Sequence, residues 1–430
     1  MDTDQQGNEV RQITGQNLNS SIPLHQRDER WLRWPASVLH VIQVKLTPRG
    51  RKAGRRTKRE RILRQFWEWV IGDIFHLLLI FVPLALASGA QKWSQKSTFS
   101  LGILALAGLE SVSASSIEQL CLPLSGLREQ LCAEAISNVV STAICIVAVL
   151  KNEMALALDF IIGSVLSSIL IGTGASILAG GLVMAEQDIQ PPAADLVKMV
   201  FIAIAPLIFP SVISQKIQAD GGDDQRAVRF VSHSGAIFLL ILYLSWVFFR
   251  RVSHRELFIS AEEDEHILKR VRVSTQTLIL YSIIAVSSLV ATIFVSRFFV
   301  SSVGALVPSI GENFLSLIVI PLVFNSSNYF KAMGLARRAK DISVVVYLTF
   351  GSALGNLSVT LPLAVIVGWG SHYNLLFNIP IAYLTSLVLS IWAAGFIVLG
   401  RRAFYLGGVI LVALYMIIAL NLYFTVGFNT

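Results

Sequence analysis

Two short polar sets interrupt long apolar stretches of this chain, and both are rich in amides and hydroxyls. The first reads S-N-V-V-S at 137–141 and is followed by G-S-V-L-S-S from Gly163. The second reads F-N-S-S-N at 324–328 and is followed by G-S-A-L-G-N from Gly351. Asn138 precedes Ser164 by 26 positions, and Asn325 precedes Ser352 by 27. Residues three apart share a helix face, which groups Asn138 with Ser141 and Asn325 with Asn328. Any one of these residues is accounted for by hydrogen bonding to a neighbouring membrane helix. A set repeated in matched places points instead to a site built from both copies. Two acids, Glu110 and Asp159, also lie within apolar stretches, where an ionisable group is a functional candidate by default.

The elements that must position these groups are membrane helices. Of 430 residues, 54% are apolar and 14% charged; a soluble domain carries about 25% charged residues. Eleven apolar stretches follow one another at 73–90, 99–117, 134–150, 155–183, 195–213, 231–249, 275–297, 313–330, 342–367, 376–399 and 402–425. Each is near the roughly 20 residues that a helix needs to cross a bilayer. The expected fold is therefore an all-α membrane protein of about eleven transmembrane helices.

Residues 1–70 hold 14 Lys and Arg against 7 Asp and Glu, which accounts for most of the net charge of +8. Residues 1–30 are polar without apolar periodicity and read as disordered. The basic run from Arg49 to Arg64 reads as a signal that keeps the N-terminus cytosolic and as a patch attracted to anionic lipid. The positive charge thus describes a tail and gives no reason to invoke nucleic acid. Three later basic clusters, Arg250 to Arg272, Lys331 to Lys340, and Arg401 with Arg402, fall on the cytosolic side of an eleven-span count. That is what the positive-inside rule requires. In this topology the helix with Asn138 runs from cytosol to lumen and the helix with Asn325 runs back. Opposed copies of one pattern are the mark of inverted repeats, which place a substrate site near the midplane. Gly163 and Gly351 are expected to weaken their helices where they sit, freeing carbonyls towards a cavity. An acidic run, Glu262, Glu263, Asp264 and Glu265, separates the halves as a solvated face or a regulatory cation segment.

The expected organisation is a disordered basic tail over 1–70, an extra span at 73–90, a first repeat at 99–250, a linker at 251–274 and a second repeat at 275–425. Cys121, Cys132 and Cys145 have no metal spacing and read as free thiols. The chain contains no H-E-x-x-H, no G-x-S-x-G and no P-loop. No enzyme activity or cofactor is implied.

The residues also carry a resemblance to the vacuolar calcium/proton exchanger branch of the calcium:cation antiporter superfamily. That family's first repeat reads roughly G-N-x-x-E-L, then G-S-x-x-S-N and G-G. Here the chain has S-N-V-V-S-T, I-I-G-S-V-L-S-S and Gly180-Gly181. The second repeat reads P-L-V-G-N-A-A-E-H, then G-S-S-x-Q. Here it is P-L-V-F-N-S-S-N-Y at 321–329, then G-S-A-L-G. The likeness covers roughly 70–425 and implies movement of a cation, calcium in the family, against protons across an internal membrane such as the vacuole's. It makes Asn138, Ser141, Ser164, Asn325, Asn328 and Ser352 the candidate cation-binding residues. The two family glutamates, which bind calcium and exchange it for protons, are replaced by Ser141 and Asn328. The family His and Gln positions are Tyr329 and Gly355. Amides and hydroxyls supply oxygens but neither charge nor a proton carrier, so Glu110 and Asp159 become the candidate proton-coupling groups. A site of lower charge also suits a monovalent cation exchanger, and loss of both glutamates suits a non-transporting paralogue acting as regulator or scaffold.

Overall fold

The structure is a computed structural model that describes residues 74–121, 138–219, 225–253, 275–306, 311–371 and 375–427. The basic tail, the linker acids Glu262 to Glu265, Ser137 and Cys132 lie outside the described residues. Within them, helices follow one another as α1 (Ile74–Ala90), α2 (Gln95–Cys121), α3 (Val139–Leu150), α4 (Met154–Gly181), α5 (Pro191–Ala219) and α6 (Gln225–Phe248). They continue as α7 (Thr275–Ser302), α8 (Leu315–Phe324), α9 (Ser326–Ala336), α10 (Ser343–Gly370), α11 (Ile381–Leu399) and α12 (Tyr405–Gly427). Among the described residues eight helices are long and apolar enough to cross a membrane, and α1, α3 and α8 are shorter apolar helices. The protein is a predominantly helical membrane protein.

Burial sorts these helices into layers. The apolar window of α4 is 83% buried and that of α2 78%, whereas α6 and α7 reach 28% and 22%. The central helices are therefore those that carry Ser164 and Glu110. On α7 the exposed residues Ile279, Ile283, Val286, Val290 and Phe294 recur every three to four positions as an apolar stripe. Such a stripe faces lipid without penalty, because acyl chains are as apolar as the side chains themselves.

The helix ends are tied to one another. Loop 182–190 leaves α4, loop 337–342 leaves α9, and loop 400–404 leaves α11. They meet in a small clasp in which β1 (Gln187–Asp188) pairs antiparallel with β2 (Arg402–Ala403), and Asp188 bridges Asp341. Fully buried Gln187 donates through Nε2 to the Ala336 and Ala339 carbonyls at 2.7 and 3.1 Å. These are carbonyls that the end of α9 leaves unpaired. At the other end of α11, residues 375–380 are irregular rather than helical, so this helix starts at Ile381, later than the apolar pattern suggested. Ser232 Oγ accepts from Phe377 N at 3.0 Å and Ser211 Oγ donates to the Phe377 carbonyl at 3.0 Å. Side chains of α5 and α6 thus satisfy backbone groups that a helix would have satisfied internally.

The glycine expectation is overturned. Helix α4 runs unbroken through Gly163, and α10 through Gly351. The irregular backbone comes later, as π turns at Ser168–Gly172 and Asn356–Thr360. Gly163 serves close packing instead, since a Cβ there would collide with the Leu317 backbone. A helix in a packed membrane bundle keeps its own hydrogen bonds wherever it can, and glycine alone does not release them.

Candidate functional site

Asn138 and Asn325 occupy equivalent backbone positions. Each immediately precedes a helix, α3 or α9, with φ, ψ of −96°, 8° and −84°, 1°. Neither side chain caps its own helix. Each reaches a serine carried by the other segment of the chain. Asn325 Nδ2 donates to Ser164 Oγ on α4 at 3.4 Å, and Ser352 Oγ on α10 donates to Asn138 Oδ1 at 3.4 Å. The pairing is crossed, with each asparagine meeting the serine of the opposite polar set. Both contacts are long for hydrogen bonds, so these amide and hydroxyl groups face one another without being tightly committed to one another.

The backbone beyond each serine repeats as well. The π turns begin at Ser168 and Asn356, four residues after Ser164 and Ser352. A π turn inserts one residue into the helical ladder, and such turns are frequent at functional sites. Two threonine pairs flank the asparagine–serine contacts, Thr142 with Thr360 at 2.9 Å and Thr173 with Thr349 at 2.8 Å. Ser141 is buried, and Asn328 and Ser352 are half-buried. Gly355 lies against Asn138, so close that a Cβ would press on the amide nitrogen. Tyr329 donates to Ser167 Oγ at 2.7 Å.

The two acids go to different places. Glu110 on α2 is 2% exposed, and its Oε1 accepts from Asn328 Nδ2 at 3.4 Å. Its Oε2 is buried without a hydrogen-bond partner, which is costly for a polar atom in an apolar interior. Asp159 on α4 is 5% exposed and accepts from Ser316 Oγ at 2.7 Å. Ser316 lies in the π turn Leu315–Val319 of α8. Glu110 therefore reaches a member of the polar set, and Asp159 meets the entry to the helix that leads to Asn325. Among the described residues no three His, Cys, Asp or Glu side chains come together. The arrangement is one of neutral oxygens with one carboxylate at its edge.

Sequence reasoning missed Lys331. The span ending at 330 placed it in a cytosolic loop, but the helix continues to Ala336 and Lys331 Nζ donates to Ser115 Oγ on α2 at 3.1 Å. Its signal was available, because Lys331 follows Asn328 by three positions and shares its helix face. Thr142 lay equally within reach, one turn from Asn138. The small cavity bounded by Cys145, Phe160 and Phe299 is lined by apolar residues and offers no ligand to an ion.

The family model described as sodium/calcium exchanger protein matches residues 97–252 and 280–424. The vacuolar calcium ion transporter of Schizosaccharomyces pombe is 25% identical over 361 residues, covering 83% of this chain and 86% of the relative. Vacuolar cation/proton exchanger 3 of Arabidopsis thaliana is 26% identical over 378 residues, covering 84% and 81%. Among solved structures, the Ca2+/H+ antiporter protein YfkE matches with a TM-score of 0.67 at 19% identity, over 82% of this chain and 99% of that one. The H+/Ca2+ exchanger CAX matches with a TM-score of 0.61 at 12% identity, over 85% and 93%. At these identities the structural likeness speaks for the fold.

Proposed function

The chain belongs to the sodium/calcium exchanger protein family, of the vacuolar calcium/proton exchanger type within the calcium:cation antiporter superfamily, and from this we propose that it exchanges a cation for protons across an internal membrane. Its relatives are transporters, and several of them are named for calcium. The cation and the proton would be the partners, in a multi-pass protein of the vacuolar or another internal membrane. In this reading the chain crosses the bilayer eleven times from a cytosolic N-terminus, as two inverted repeats at 99–250 and 275–425. The crossed contacts Asn325–Ser164 and Asn138–Ser352 support that reading, since inverted repeats bring equivalent groups together about a midplane axis.

The observation that carries the function is the placement of Glu110. It brings a buried carboxylate to Asn328, one of the two positions that the sequence resemblance matches to the family's glutamates. With Glu110 ionised, its charge and the oxygens of Asn138, Ser141, Ser164, Asn325, Asn328 and Ser352 would supply the kind of oxygen set a hard cation takes. With Glu110 protonated, the charge that holds the cation is gone. A group that carries either a proton or the charge for a cation is what antiport requires. Asp159 would act on the same cycle from the Ser316 contact. The acids at 262–265 would be regulatory, and the basic tail would lie against anionic lipid.

A second reading, exchange of a monovalent cation, is favoured by the single carboxylate at the polar set, since one charge balances one charge. Purified protein in vesicles decides. Calcium or sodium uptake that requires an imposed pH gradient, and that is lost in Glu110→Gln, supports antiport. A folded, correctly inserted protein that moves neither ion under any gradient favours the scaffold alternative.

A further inference from the structure

Lys331 is a charged side chain that the proposed cycle leaves without a role. Two contacts lace α9 to α2. Asn328 Nδ2 meets Glu110 Oε1 at 3.4 Å, and Lys331 Nζ meets Ser115 Oγ at 3.1 Å. Asn328 and Lys331 are three residues apart on one helix, and Glu110 and Ser115 five apart on the other. The two contacts therefore lie at successive levels of one helix–helix seam. Both contacts join the same two helices, so the Lys331 ammonium and the Glu110 carboxylate belong to one interface. In the eleven-span order the level of Lys331 is the cytosolic one, because both helices run towards that side.

We infer that Lys331 is a charge-selectivity residue, a tethered ammonium whose repulsion disfavours divalent cations at Glu110 relative to monovalent ones. The inference rests on the reading that a cation binds at Glu110. The ammonium lowers the net negative charge of the seam, and an incoming ion must share space with it. Coulomb energy is proportional to the charge of that ion. Whatever factor the repulsion costs a monovalent ion, a divalent ion at the same place is weakened by the square of it. Ser115 accepts from the ammonium at this level, which keeps the charge beside α2.

Equilibrium binding of Ca2+ and of Na+ to the purified, monodisperse protein tests this without depending on transport. Lys331→Gln should tighten Ca2+ binding about tenfold and Na+ binding about threefold, the ratio that follows from doubling the charge. Lys331→Arg, which keeps the charge, should bind both ions as the unaltered protein does. Glu110→Gln/Lys331→Gln should lose the gain, because the carboxylate that profits from removing the ammonium is gone. Unchanged binding in Lys331→Gln, or equal gains for both ions, overturns the inference. A gain that survives in the double variant also overturns it, because the ion then binds away from Glu110. Flux in vesicles is read separately. Tighter Ca2+ binding with no flux in any variant leaves the selectivity role intact and removes the antiport reading, and pH-driven flux with unchanged binding does the reverse.

Discussion

Gly163 and Gly355 both sit where a methyl group has no room, yet alanine should affect them in opposite ways. At Gly163 a Cβ would stand 2.8 Å from the Leu317 carbonyl carbon and 2.7 Å from Pro321 Cγ, with the Leu317 oxygen nearer still. Ordinary contact begins at 3.4 Å, and the Leu317 oxygen is the nearest obstacle, so α8 must retreat from α4 by more than the about 0.7 Å that Pro321 alone requires. Backbone cannot rotate out of the way as a side chain can. Overpacking of this kind costs about 1–3 kcal/mol, against roughly 1 kcal/mol gained in helix propensity. Because the obstacle is backbone, the cost falls at the upper end of that range, so Gly163→Ala should be less stable by about 2 kcal/mol, and the retreat should open the Asn325–Ser164 contact one residue away. At Gly355 the obstacle is the tip of the Asn138 side chain, whose Cγ would lie 3.1 Å from the new methyl. That amide can turn aside, losing only the long contact with Ser352, and a neutral hydrogen bond contributes about 1 kcal/mol. The propensity gain offsets this, so Gly355→Ala should unfold within about 0.5 kcal/mol of the unaltered protein while its ion exchange falls. Thermal unfolding in detergent, followed by tryptophan fluorescence and set beside vesicle flux, separates the two. Gly163→Ala as stable as the unaltered protein would refute the packing argument. Gly355→Ala with undiminished flux would show that the orientation of Asn138 is irrelevant to transport.

Three further outcomes are expected. The double change Ser141→Glu and Asn328→Glu should raise proton-driven calcium uptake at least tenfold by placing carboxylates at the two positions that the sequence resemblance matches to the family's glutamates; a folded variant that stays inert argues for a scaffold. Glu110→Gln and Asp159→Asn should each flatten the dependence of uptake on pH while preserving folding, measured as initial rates over a series of gradients. Unchanged profiles in both would remove these acids from proton coupling. Reporter tags at the two ends should map to opposite faces of the membrane, and finding both on one face would remove a span and undo the inverted pairing.

The helices were legible because apolar length is a local property, and residues 74–90 or 154–181 announce themselves without knowledge of their neighbours. The polar sets were legible for the same reason, through composition and spacing. Their partners were not. Nothing local says that Asn325 meets Ser164 rather than Ser352, since that depends on how distant helices register when packed. Glu110 was visible as a buried acid, but its contact with Asn328 spans 218 positions of chain. Lys331 was misplaced because a charge after an apolar run reads as the end of a helix. Its long stem lets it stay in the bundle and carry the charge to Ser115. The glycines misled in another way. Lack of a side chain signals either a break or a close approach, and at Gly163 only the neighbouring backbone distinguishes them.

The crossed contacts at Asn138 and Asn325 have a consequence for how such a chain can be divided and inherited. Each contact takes one member from 97–252 and the other from 280–424, so neither portion owns a complete pair. Separated in a membrane, each would present an asparagine and a serine to hydrocarbon, and such polar contacts are worth on average about 0.6 kcal/mol apiece. The force drawing the portions together there is small, and shape and apolar packing must supply most of it. A chain cut within 254–274 should reassemble from co-expressed fragments, while either fragment alone retains helices but no seam. Drift at one asparagine is felt by a serine encoded some two hundred codons away, so the two portions are bound to change in step.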